Sequence, residues 1–138
     1  MVKKFILAIF FILGSISIAH SSCSDAESEA YDGYRDAKRA YRSSDLISCQ
    51  RYARKAYRHL SYAESGASSC SCSDAESDAY YGYRDAKRAY RSSDLSSCQR
   101  YARKAYRHAS YAEEAASGCN NWIKNDQSRN FALPLTVE

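Results

Sequence analysis

Six cysteines are the residues of this chain best able to do chemistry. Thiolates bind metals, attack as nucleophiles or pair into disulfides. No Cys-x-x-Cys pair is present, and Cys70-x-Cys72 has no nearby His, a poor fit to a zinc site. In an exported chain, cysteines are read as disulfides first. His59 and His108 occupy equivalent places in Tyr-Arg-His-x-Ser-Tyr-Ala-Glu. Two such His could share a metal or respond to pH, but neither has a second ligand four residues on. A partly exposed structural His is the expectation for both. No serine lies in a nucleophile elbow or beside a placed His and Asp. Asp32 and Asp36 have Arg35 and Arg39 three residues on, which reads as a solvated charged face. No glycine-rich phosphate loop occurs. Catalytic residues, metal ligands and cofactors are therefore not expected.

Arginine and tyrosine interleave throughout. Tyr31–Arg35, Tyr34–Lys38 and Arg58–Tyr62 stand four residues apart, the spacing for cation–π contact along a helix. Tyr and Arg are also the residues that interfaces favour. These six form the candidate binding surface, for an anionic polymer, a glycan or a protein. The competing role for the tyrosines is structural, filling a core that lacks large aliphatics, and it takes the larger share.

The elements that position these groups come from a duplication. Residues 22–70 lie over residues 71–119 with 42 of 49 positions the same. The differences are Glu29/Asp78, Asp32/Tyr81, Ile47/Ser96, Leu60/Ala109, Ser65/Glu114, Gly66/Ala115 and Ser69/Gly118. A period of this length marks a repeat of supersecondary units. Ahead of it, Lys3 and Lys4 precede an uncharged apolar run, Phe5 to Ile18, and small residues at Ala19-His20-Ser21. That is the pattern of a secretory signal peptide over residues 1–21, too short for a membrane span. It implies a periplasmic or secreted protein with no stable membrane insertion after cleavage.

Charge argues against one partner class. The net +4 of the chain includes Lys3 and Lys4, and each repeat carries eight Lys and Arg against seven Asp and Glu. Such a balance lacks the basic excess of a nucleic-acid binder, so no nucleic acid is expected.

Within each repeat the apolar pattern is helical. Ala26, Ala30, Gly33, Ala37 and Ala40 follow a 4-3-4-3 seam. Ser24-x-x-Glu27 reads as a capping box, which places the first helix at about 25–42. Asp45 is the next N-cap. A second seam runs Leu46, Cys49, Ala53, Ala56, Leu60, Ala63, Ala67 and Cys70. The second helix is expected at about 45–65, and the repeat supplies two more at about 74–91 and 94–116. The second unit is weaker where Leu60 becomes Ala109. A turn as short as Ser43-Ser44-Asp45 forces antiparallel neighbours, with Tyr52 and Tyr57 placed to pack on the other hairpin. The fold class is all-α: two tandem antiparallel hairpins, four helices as a bundle or stacked hairpins, with an irregular tail over 120–138. Asn120-Asn121 should cap the last helix. Phe131, Leu133, Leu135 and Val137 alternate around Pro134, as in an extended segment folded back over the helices or added to a partner's sheet.

This geometry pairs cysteines. Cys23 and Cys70 meet at one end of the first hairpin, as do Cys72 and Cys119 in the second. Cys49 lies at the opposite end, roughly 27 Å away along a helix of about 18 residues, beyond the roughly 7 Å Cα limit for a bridge. Cys23–Cys70 with Cys72–Cys119 is the expected pairing, each worth about 4 kcal/mol on the chain-entropy model. Cys23–Cys119 with Cys70–Cys72 is the competitor, disfavoured by ring strain. Cys49 and Cys98 admit three states: bonded to each other, buried as thiols, or bridging two chains. Their seam position favours the first two, and an oxidising compartment tilts toward the first.

Tyr41, Asp45-Leu46 and Cys49-Gln50-Arg51-Tyr52-Ala53-Arg54-Lys55-Ala56 resemble the turn and second helix of a tetratricopeptide repeat, with Cys49 at the family's small position and Ala56 at its Ala. The period departs from that family's roughly 34 residues. The resemblance implies a protein-binding scaffold. The function expected is thus a small exported, non-enzymatic scaffold with an unknown protein partner. The alternative is a structural or adhesive surface protein that self-assembles, so a homo-oligomer remains open.

Overall fold

The structure, a computed structural model, describes residues 22–130. The signal-peptide reading and the alternating Phe131 to Val137 segment fall outside the described residues. Four helices follow in order: α1 Ser22–Tyr41, α2 Leu46–Ser69, α3 Ser73–Tyr90 and α4 Leu95–Asn130. Each packs antiparallel on the next, and α1 packs along α4 as closely as along α2. The four helices therefore close into a bundle, and the stacked-hairpin arrangement is not formed. No helix among the described residues is long and apolar enough to cross a membrane.

Small residues make this closure possible. The buried set is Ala on every helix, joined by Cys23, Cys49, Cys72, Cys98 and one Leu. Leu60 is the largest side chain wholly buried among the described residues. A methyl added at Gly33 would lie 2.7 Å from Leu60 Cγ, and one at Gly82 would lie 3.1 Å from Leu60 Cδ1. Ala109, the repeat partner of Leu60, belongs to the same buried cluster. The Leu-to-Ala difference is thus no weakness of the second hairpin. One Leu occupies a central space that both glycines open and that two Leu side chains would overfill.

The halves are related by an approximate two-fold. Gln50 Nε2 donates to the carbonyl of Ser92 and Gln99 Nε2 to that of Ser43, each at 2.8 Å. Tyr34 packs on Tyr106 and Tyr57 on Tyr83, the same contact made twice across the hairpins. Tyr52 lies under Arg39 of its own hairpin and packs against a buried cluster drawn from both hairpins, with Ala89, Cys98 and Ala102 from the second.

The expected helix ends are partly corrected. Asp45 and Asp94 cap α2 and α4 by accepting from the Ser48 and Ser97 amides at 2.8 Å. The capping boxes do not form: α1 already begins at Ser22, and Cys72 holds the N-cap of α3 without a side-chain cap bond. The chain enters α3 directly from the end of α2. Ser71 takes a left-handed φ of 58°, the Cys72 amide donates to the Ala67 carbonyl and the Ser71 amide to that of Ser68. This is a Schellman closure with Ser where Gly is usual, flanked on both sides by disulfide cysteines. The tail expectation fails over 120–130, where α4 continues. Asn120 donates from Nδ2 to Glu27 Oε2 of α1 at 2.7 Å, so its side chain is held across the bundle and does not cap its own helix. Ile123 joins the buried cluster around Cys72 and Ala116.

Leu60→Ala should cost about 2–5 kcal/mol of stability. Adding Ala109→Leu should restore more than half of it, because the new Leu enters the same space from the paired position. Urea denaturation with the disulfides intact checks this; a double variant no more stable than Leu60→Ala would refute the shared cavity.

Candidate binding face: a basic half and an acidic half

The cysteines set the frame. Cys23 is bonded to Cys70 and Cys72 to Cys119, with Cα atoms 5.5 and 6.2 Å apart, at one end of the bundle. Cys49 is bonded to Cys98 (Cα–Cα 6.3 Å), joining α2 to α4 across the bundle near the turns. All six are consumed, leaving no free thiol for a metal or a nucleophile.

The rest of the chemistry is charge. The contact of Gly33 with Leu60 marks the middle of the first hairpin, and that of Gly82 with Ala105 and His108 the same height in the second. All sixteen Lys and Arg of the repeats, Arg35 to Arg58 and Arg84 to Arg107, lie on the turn side of that level. Only four acids join them: Asp36, Asp45, Asp85 and Asp94. The other ten, Asp25 to Asp32, Glu64, Asp74 to Asp78, Glu113 and Glu114, lie toward the paired disulfides. Sixteen cations against four acids leave the turn half near +12 and the opposite half near −10. The nearly neutral sequence thus folds into a strongly dipolar bundle. The basic excess absent from the composition is present in space.

Helix dipoles account for half of this order. In α1 and α3, acids stand at the N-terminus and bases at the C-terminus, as the dipole favours. In α2 the order is reversed, and α4 has its repeat cations in its first half, Glu113 and Glu114 in its middle and Lys124 beyond them. Arg51, Arg54 and Lys55 lie in the first half of α2, its last turn has no base, and Glu64 lies near its end. The dipole does not account for these cations, which stand beyond the first turns that Asp45 and Asp94 cap, and clustered together they repel one another.

Tyrosines spread under the cations. Lys38 Nζ lies 5.1 Å from the Tyr34 ring centroid and donates to its hydroxyl at 2.8 Å. Of the three spaced pairs, this one forms a cation–π contact. Arg35 turns instead to Asp32 at 3.0 Å, and no such contact joins Arg58 to Tyr62 among the described residues. The contacts missed by reading along single helices run between helices: Arg39 over Tyr52, Arg54 over Tyr90, Arg103 over Tyr41. The 49-residue period held their signal, since Arg54 and Tyr90 recur as Arg103 and Tyr41 once the bundle closes.

Tyr31, Tyr34, Arg35, Lys38, Arg39 and Arg51 line a groove of about 640 Å³ on hairpin 1. Its repeat equivalent on hairpin 2 holds about 720 Å³. Arg58 and Tyr62 line an adjoining groove that shares Arg35 and Arg39. All six candidate residues therefore edge one hairpin face. The solvated-face expectation is corrected at Asp36 and Asp85, which are 4% and 8% exposed. Asp36 accepts from Arg39 at 3.3 Å, with His59 Nε2 at 3.9 Å. His59 Nδ1 lies 2.7 Å from Glu29 and His108 Nδ1 3.1 Å from Asp78. Each His ties the second helix of its hairpin to the first, a structural role.

In the acidic half, burial and the nearby Glu76 push the Glu64 carboxyl up, and burial and Glu27 do the same to Glu113. A raised folded pKa means the charged form opposes folding. Stability from these groups is complete below the unfolded value near 4.5 and is lost as pH rises through the folded one. Glu64→Gln with Glu113→Gln should therefore raise stability by about 0.5 kcal/mol at neutral pH and change little near pH 4. Melting profiles across that range check it; a gain confined to acid would contradict the sign.

Compared with protein-family models, with curated proteins and with solved structures, the chain matches none.

Proposed function

We propose that this chain is a non-enzymatic, exported binding module that holds an acidic protein partner on the basic half of hairpin 1. One observation carries the reading: sixteen cations gather with only four acids on the turn half, where mutual repulsion opposes them. Departures from local electrostatic preference cluster at functional surfaces. Arginine, the commoner cation here, presents a planar fork that fits carboxylates. The tyrosines beneath hold the guanidinium and ammonium groups in place, which lowers the ordering cost of binding. Three disulfides suit an oxidising compartment, where such pairs persist.

The reading predicts association with a ten-residue polyglutamate peptide that weakens steeply with salt, because the contacts are exposed charges. Arg42→Glu with Arg51→Glu should weaken it at least ten-fold in calorimetry while leaving helical content and melting in place. Equal affinity for the wild-type chain and this variant would end the proposal.

A further inference from the structure

The two hairpins differ on their outer faces in a way that gives only one of them a mirror-like charge order. On the α3–α4 face, Tyr81 and Tyr111 stand at mid-height, 47% and 48% exposed, and line one groove. Tyr81 packs 5.6 Å from the His108 ring. Along α3, Arg84 and Asp78 lie three residues to either side of Tyr81, and Arg88 and Asp74 seven residues to either side. Along α4, Arg107 lies four residues before Tyr111 and Glu114 three after. Apart from Asp78, these charged residues are exposed. Arg84, Arg107 and Glu114 make no ion pair within the chain among the described residues.

We infer that the α3–α4 face binds a second copy of this chain, as an antiparallel two-fold dimer with its axis through the Tyr81 and Tyr111 level. A two-fold axis lying in the interface, across the bundle, sets α3 against α3 and α4 against α4 with directions reversed. Residues equally far from the axis then meet. Arg84 faces Asp78 of the other copy, Arg88 faces Asp74 and Arg107 faces Glu114, each pair made twice. The tyrosines of both copies form the centre, where aromatic rings supply most of an interface's energy. The arrangement also sets each basic half beside an acidic half and closes on itself, as an isologous contact must.

The opposite face cannot do this. Its mid-height residue is Asp32 where hairpin 2 has Tyr81, so the same axis would set Asp32 against itself. Ser65 replaces Glu114 and leaves Arg58 without a partner. Two of the seven differences between the repeats thus fall on the positions the dimer needs. Hairpin 1, on the far side of the bundle, stays open in each copy, so the inference stands apart from the acidic-partner reading and doubles the sites it offers.

Sedimentation velocity on the oxidised chain at about 50 µM in low salt tests it. The expected result is a dimer that dissociates at high salt. Arg107→Glu sets Glu against Glu114 and should weaken the dimer at least ten-fold, as should Tyr81→Asp. Arg107→Glu combined with Glu114→Arg exchanges both partners and should restore the dimer. A wild-type monomer at low salt overturns the inference. So does a dimer indifferent to Arg107→Glu, or a double variant no more dimeric than Arg107→Glu alone. Polyglutamate binding by the same samples reads the hairpin 1 site separately.

Discussion

The close approach of four alanine seams is the constraint on which everything else rests. Alanine lets helix axes come near but buries little apolar area per residue, at about 25 cal/mol per Å². Among the described residues, Leu60 alone of the large aliphatics is fully enclosed. Such a core leaves a small surplus over chain entropy, and the disulfides supply what burial does not. Two clamp the hairpins at one end and the third joins α2 to α4 at the other. The covalent frame holds both ends, so neither can fray away from the thin middle.

That frame explains how a bundle with little burial tolerates an opposed charge distribution. Sixteen cations gathered toward one end work against folding by mutual repulsion. Tyrosines relieve part of it through cation–π contacts between helices, and the buried carboxylates of Asp36 and Asp85 relieve part by pairing with the exposed Arg39 and Arg88. The remainder is a standing field at the surface, strong enough to select partners by charge. Its orientation follows from the duplication: each hairpin runs from acid to base and back, and stacking two in register adds their fields.

Much of this was legible in the residues. Alternating 4-3 spacing of Ala and Gly placed the helices, Asp45 and Asp94 marked their turns, and an antiparallel hairpin could bring only certain cysteines together. The missing parts each depended on a neighbour in space. Ala109 reads as a defect until Leu60 is seen to fill its space. Asn120 reads as a cap until Glu27 draws its side chain across to α1. Asp36 reads as solvated until closely spaced axes cover it. Charge balance reads as neutrality because a sequence sums what a fold separates. Of the cation–π pairs along one helix Tyr34–Lys38 forms, whereas Arg35 turns from Tyr31 to Asp32 three residues before it.

Disulfides hold this alanine-cored bundle together against its own charge repulsion. Thermal unfolding of the reduced chain, followed by circular dichroism at low and at high salt, tests it most directly. The reduced chain should lack a cooperative transition at low salt and recover one as salt screens the basic half, while the oxidised chain melts cooperatively in both. A reduced chain that melts at low salt as sharply and as late as the oxidised one would contradict it.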